Sequence, residues 1–157
     1  MKKYLLTLIA LAFISLSAFA DDKQDALSFF NSYVNAANNY SPTVAEMYSP
    51  SAKIIRQVIK PDGTTVDVAT DTATYIKQMK IGQAGAKLRH YKNNYTNISV
   101  APIGDAFKVS SLRQPSGEDY KLKTYMIVKK QSNGKWLIVE EMMQTKVQTF
   151  LRYADKK

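Results

Sequence analysis

Between Asp22 and Asn38 the apolar positions Ala26, Leu27, Phe30, Tyr33, Val34 and Ala37 recur every three or four residues with polar residues between them, which predicts an amphipathic helix lying on a flat partner. Ser41-Pro42 then offers a capping hydroxyl followed by a proline suited to a first helical position, so Thr43 to Tyr48 reads as a second, short helix that Ser49-Pro50 stops. In SAKIIRQVIKPDGTTVDVAT, β-branched residues flank the turn tripeptide Pro61-Asp62-Gly63, which predicts two paired strands. Thr70 or Asp71 caps a third helix whose Tyr75, Ile76 and Met79 form one stripe and which is expected to end before Gly82 and Gly85.

From Leu88 onward the period changes to two. Leu88 to Ala101 is long for one strand and is expected to bend. Ala106 to Gln114 follows the turn Ile103-Gly104-Asp105, and Tyr120 to Lys130 follows Pro115-Ser116-Gly117. Asn133-Gly134, a pair favoured in tight hairpins, leads into a last strand, WLIVEEMMQT. Helices first and an antiparallel meander last make an α+β fold, a single domain over residues 21–157 in which a strongly curved, cone-shaped antiparallel sheet wraps around the N-terminal helices.

The N-terminal segment changes the picture of where the chain works. MKKYLLTLIALAFISLSAFADD has two lysines, an apolar run from Leu5 to Leu16 and Ala18-Phe19-Ala20 before two aspartates, the pattern of a bacterial secretory signal peptide cleaved after Ala20. The run is short of the roughly 20 apolar residues a membrane-spanning helix needs, so a periplasmic or secreted protein is expected, not a transmembrane one. The chain has no cysteine, which removes disulfide staples. One histidine and no cysteine argue against a transition-metal site, and no cofactor is expected. The net charge of +9 falls by two when residues 1–20 leave, and lysine dominates it. Dispersed lysines suit an anionic envelope surface or plain solubility better than nucleic acid, whose readers concentrate arginine and aromatics on one face.

Three stretches, FFNSYVNAANNYSPTVAEMYSPSAKI, DTATYIKQM and NGKWLIVEEMMQT, resemble in order and spacing the nuclear-transport-factor-2-like superfamily, which includes SnoaL-like and ketosteroid-isomerase-like domains, across nearly all of residues 21–157. The resemblance implies the cystatin-like roll with a concave pocket, and homodimerisation through the sheet. Two positions depart from it. Ser51 stands where members often carry an aspartate, and Glu140 and Met142 stand where many carry histidine or other polar residues.

Strand alternation puts Trp136, Ile138, Glu140 and Met142 on one side and Leu137, Val139, Glu141 and Met143 on the other, so the two glutamates point apart unless a bulge intervenes. The resemblance turns the Trp136 side inward and with it Glu140. Tyr33, Tyr48, Tyr75, Tyr91 and Tyr125, from a chain of ten tyrosines, sit on elements that surround such a pocket. With Trp136 they suit a flat or amphipathic ligand. His90 shares a strand side with Leu88 and Lys92 and is a candidate base near neutral pH, and Asp67 is a candidate pocket acid. Two functions follow. One is a non-catalytic exported module that binds a small apolar or aromatic ligand, an envelope protein or lipid, or a partner. The other is a cofactor-free isomerase, dehydratase or hydrolase in which Glu140 or His90 moves a proton and a tyrosine hydroxyl stabilises an oxyanion.

Overall fold

The computed structural model describes residues 2–154, with side chains from residue 18 onward. Helix α1 (Lys2–Asn38) is followed by a 3-10 helix (Pro42–Met47), β1 (Tyr48–Ile59), β2 (Thr65–Thr70), α2 (Thr72–Leu88), β3 (Asn93–Ile103), β4 (Ala106–Pro115), β5 (Leu122–Lys130), β6 (Trp136–Thr145) and a terminal 3-10 helix (Gln148–Tyr153). Most of the leader expected at residues 1–20 lies outside the residues whose side chains are described. Among the described residues no helix is long and apolar enough to cross a membrane.

The six strands form one sheet in the order β2-β1-β6-β5-β4-β3. Every pairing is antiparallel except β1 with β6, which run parallel because α2 and the meander separate them in sequence. Turns form where the sequence places them: Gly63, Gly104, Gly117 and Gly134 all take positive φ between +57° and +84°. Bulges add curvature. β3 loses register between Thr96 and Ser99, with Asn97 at φ 54°, so the expected bend is there.

Helix α1 lies across the concave face. Its stripe of Ala26, Phe30 and Tyr33 is buried against Ile54, Val109, Met126, Val128 and Ile138. Each fully buried large apolar side chain contributes about 1.5–3 kcal/mol relative to exposure, so this layer supplies most of the driving force for closing the sheet over the helix. At the far end of the cup Phe19 packs on Phe107, which packs on Trp136, at centroid separations of 5.5 and 6.1 Å. At the near end Asn38 donates to the carbonyl of Asn93 and accepts from its N–H, pinning the end of α1 to the start of β3.

Two expectations are corrected in α2. The helix does not stop before Gly82 but runs through both glycines to Leu88. A mid-helix glycine costs only about 1 kcal/mol relative to alanine, and Gln83 ties this half of the helix down by donating to the carbonyl of Tyr40. The strand expected from Leu88 therefore begins at Asn93. The four residues between are a turn in which His90 takes φ 51°.

Candidate functional site

A cavity of about 270 Å³ opens between α1, the first 3-10 helix and α2. Helical spacing explains its walls: Tyr75, Met79, Gly82, Gln83 and Ala86 recur at three and four residues and so share one face of α2. Tyr33 and Ala37 face them from α1, Val44 comes from the 3-10 helix, and Tyr40 stands in the turn between those two. Gly82 leaves room, since a Cβ there would meet nothing within 4 Å. Tyr40 adopts φ 57°, held by the Gln83 hydrogen bond to its carbonyl. Its hydroxyl is buried and has no hydrogen-bond partner among the described residues. The cavity wall is thus largely apolar, and Tyr40 brings to it a buried hydroxyl without a partner among the described residues, a composition suited to a small ligand.

Beneath it lies a polar cluster built around a fully buried acid. Glu141 is fully buried, and its two oxygens are taken by separate partners. Arg56 Nη1 donates to Oε1 at 2.9 Å, and the Tyr48 hydroxyl donates to Oε2 at 2.5 Å. Tyr48 has one proton, which is committed to the carboxylate. Its contacts with the hydroxyls of Tyr33 (3.4 Å) and Tyr75 (3.5 Å) are accordingly longer. The Arg56 guanidinium also lies 4.7 Å from the centre of the Tyr75 ring, a cation–π contact. Burial, reinforced by the Glu141 charge, pushes the phenols of Tyr33 and Tyr48 well above their ordinary pKa, and that of Tyr75 upward as well. For Arg56 burial works against the charge, yet Tyr75, Glu141 and Tyr48 outweigh it and hold its pKa above the usual arginine value. The cluster therefore keeps one fixed ion pair and three neutral hydroxyls.

The structure divides the candidate residues among several places. Tyr33 and Tyr75 line the cavity, and Tyr48 joins them from below. Glu140 does not face inward, which corrects the expectation. Ile127 pairs with Glu140 while Val128 pairs with Ile138, so Val139 is an extra residue that reverses the alternation halfway along β6. Trp136 and Ile138 keep the concave side, but beyond the bulge Glu141 takes it. The glutamates still point apart. Glu140 lies on the convex face, where it accepts from the Tyr125 hydroxyl at 2.6 Å, beside Lys108 over the Tyr125 ring. Tyr125 is therefore also outside the cup, and Trp136 packs with Phe107 away from the cavity. His90 sits in its exposed turn rather than on a strand, and Tyr91 beside it is exposed too. Asp67 accepts from Gln57 at the β2 edge. His90, Glu140 and a tyrosine hydroxyl do not meet in one cavity.

Sequence reasoning passed over Glu141, Arg56, Tyr40 and Arg113. A signal for the arginines exists: each interrupts an apolar alternation, in AKIIRQVI and in VSSLRQP, at a position whose neighbours two residues away are core or buried. Tyr40 has none, since its burial depends on α2 continuing past Gly82. Among the described residues no three His, Cys, Asp or Glu side chains gather as a metal site.

No family model matches the chain, and no curated protein matches it by sequence. Solved structures do match it by shape. A nuclear-transport-factor-2-like protein of unknown function from Pseudomonas putida KT2440 superposes with TM-score 0.64 at 11% identity, covering 88% of this chain and 97% of its own. A nuclear-transport-factor-2-like protein with a cystatin-like fold from Novosphingobium aromaticivorans gives 0.59 at 9% identity, over 88% and 91%. Nuclear transport factor 2 from Cryptosporidium parvum gives 0.57 at 13% identity, over 77% and 91%. Identities this low speak for architecture alone. Taken with the six-stranded cup and the helices it encloses, they show that the chain has the nuclear-transport-factor-2-like, cystatin-like fold.

Proposed function

We propose that the protein is an exported, non-catalytic binding module whose cavity takes a small, flat, largely apolar ligand that offers a hydrogen-bond acceptor to Tyr40. The observation that carries this reading is Tyr40, whose buried hydroxyl has no partner among the described residues, on the wall of a cavity lined mainly by Met79, Val44, two alanines and the rings of Tyr33 and Tyr75. A buried hydroxyl without a partner costs free energy, and a bound acceptor removes that cost. The size fits a one- or two-ring compound. Binding is favoured over catalysis because the one carboxylate near the cavity has both oxygens engaged and no exposure, leaving it unable to take a substrate proton. Export rests on the N-terminal leader pattern of residues 1–20.

Titration calorimetry with acetophenone and 2-naphthol, against the native protein and Gly82→Phe, tests the site. Saturable binding that the phenylalanine abolishes is expected. Equal binding by both proteins, or none by either, contradicts the reading. Export is checked by the N-terminus of protein recovered outside the cytoplasm, expected at Asp21.

A further inference from the structure

Helix α2 carries two apolar stripes, and only one of them faces the cavity. Tyr75, Met79, Gly82 and Ala86 line the cavity at spacings of four, three and four residues. Lys77, Ile81, Ala84 and Leu88 repeat that spacing two residues further on, about 200° round the helix, and so point away from the core. All four are exposed. Ile81 is 72% and Leu88 83% exposed, the two most exposed large apolar side chains among the described residues. A single exposed leucine is ordinary. Two aliphatic chains two turns apart on one line, with cations around them, make a surface.

The charge around the stripe has one sign. From residue 72 to residue 104 the sequence has no aspartate or glutamate, while Lys77, Lys80, Lys87, Arg89 and Lys92 carry positive charge. Among the described residues none of these five forms an ion pair; the pairs lie at Arg56, Lys129 and Lys130. Lys80 and Lys87, two turns apart, run along one flank of the stripe. On the other flank Arg89 folds back along the helix, its guanidinium 3.6 Å from where a Cβ of Gly85 would stand. The helix end is fixed. Tyr91 donates its N–H to the carbonyl of Ala86 and His90 to that of Lys87, with His90 at φ 51°, a Schellman closure. Attraction to the helix carbonyl end accounts for cations at 87 and 89, but not for those at 77 and 80 or for the aliphatic line between them.

We infer that the outer face of α2 docks on an anionic phospholipid bilayer, with Ile81 and Leu88 entering the acyl boundary and the surrounding lysines and Arg89 meeting lipid phosphates. The charge complementarity and the shallowness of the stripe select this partner. Ala84 between two aliphatic chains leaves too little side chain to fill a protein groove, where helical ligands present a large anchor on every turn. Nucleic acid calls for arginine with stacking aromatics, which this face lacks. The inference is independent of the cavity's ligand, since the inward face of the same helix lines that cavity.

The chain has no cysteine, so a single introduced cysteine can report one face. Ala84→Cys on α2 and Lys123→Cys on the sheet are each labelled with an environment-sensitive fluorophore and mixed with vesicles of phosphatidylcholine, alone or with one quarter phosphatidylglycerol. A local label is needed because the apolar run within residues 1–20 can hold the chain on a bilayer by itself. Expected is a blue shift at 84 that is at least about tenfold tighter on anionic than on neutral vesicles, is reversed by about 0.5 M salt, and is missing at 123. With the label at 84, Lys77→Gln, Lys80→Gln and Lys87→Gln together should weaken the interaction about a hundredfold, and the charge-matched Lys121→Gln, Lys123→Gln and Lys135→Gln less than about tenfold. Ile81→Ser with Leu88→Ser should weaken it about tenfold and leave a salt-sensitive remainder. Every substituted side chain is exposed, so the variants are expected to unfold at the native temperature. No shift at 84, equal shifts at 84 and 123, or equal losses from the two lysine sets would overturn the inference. A shift at 84 that rises with protein concentration without vesicles, and disappears with Ile81→Ser and Leu88→Ser, would assign the stripe to a second copy of the chain and overturn it as well.

Discussion

Tyr48 and Glu141, 93 residues apart in the chain, share a 2.5 Å hydrogen bond inside the cup, and Arg56 closes the other side of the same carboxylate. The bond joins the start of β1 to the part of β6 beyond its bulge, so it reports directly on the register of the parallel pair.

Breaking that ion pair from one side is expected to cost about 3–5 kcal/mol, because the surviving charge stays buried without a partner. Glu141→Leu and Arg56→Met should each show the loss in urea denaturation. The double substitution should recover most of it, since two apolar side chains replace two desolvated ions. Additive losses would mean that the two side chains do not depend on each other.

Glu140 gives the control one residue away. Its partner on the half-buried convex face is the Tyr125 hydroxyl. Glu140→Ala is expected to cost less than about 1 kcal/mol in the same urea experiment. A larger loss at 140 than at 141 would place the bulge elsewhere than Val139.

The contrast between these two residues shows where the sequence is legible and where it is not. Period and turn chemistry are local, and they reveal α1, the capped 3-10 helix, the two-strand pair and the four-strand meander, with glycine at positive φ in each of the hairpin turns. The Val139 bulge is not local. It exists because β6 must pair with β5 on one side and β1 on the other, and nothing in WLIVEEMMQT marks it. The length of α2 was hidden for a related reason: Gly82 and Gly85 read as a stop, but contacts with Tyr40 outweigh their modest cost. That one misreading also put His90 on a strand and kept Tyr40 out of view. The candidate site is half visible in the sequence: Tyr33, Tyr48 and Tyr75 can be read from it, while the acid among them is Glu141 and not the Glu140 that simple alternation indicates.

Alkaline stability should follow from the three raised phenols. Above about pH 10 the tyrosines of the unfolded chain lose protons that Tyr33, Tyr48 and Tyr75 keep when folded. The unfolded state then binds fewer protons, so stability falls as pH rises. It should be unaffected by these groups below pH 10 and decline above it by up to about 1.4 kcal/mol per pH unit for each tyrosine. Urea melts from pH 8 to 11, with phenolate absorbance followed in parallel, check this. Ionisation of Tyr33, Tyr48 and Tyr75 along with the exposed tyrosines in a still-folded protein would contradict the burial assigned to them.

Gly82 separates stability from binding. Nothing lies within 4 Å of a Cβ placed there, and the residue is mid-helix with ordinary φ. Gly82→Ala is therefore expected to stabilise the protein by about 0.5–1 kcal/mol through the lost freedom of the unfolded chain. Thermal or urea unfolding measures it. A destabilised alanine variant would mean that the cavity wall is tighter than described.

Methionine methyl groups offer the most direct view of the proposed site, because Met79 lines the cavity while Met142 pairs with Tyr125 on the convex face. With methyl-labelled methionine, titration with acetophenone should shift the Met79 resonance saturably and leave Met142 in place, and Tyr40→Phe should weaken the effect. A shift confined to Met142, or a Met79 resonance that stays fixed while ligand binds, would contradict the assignment of this cavity as the binding site.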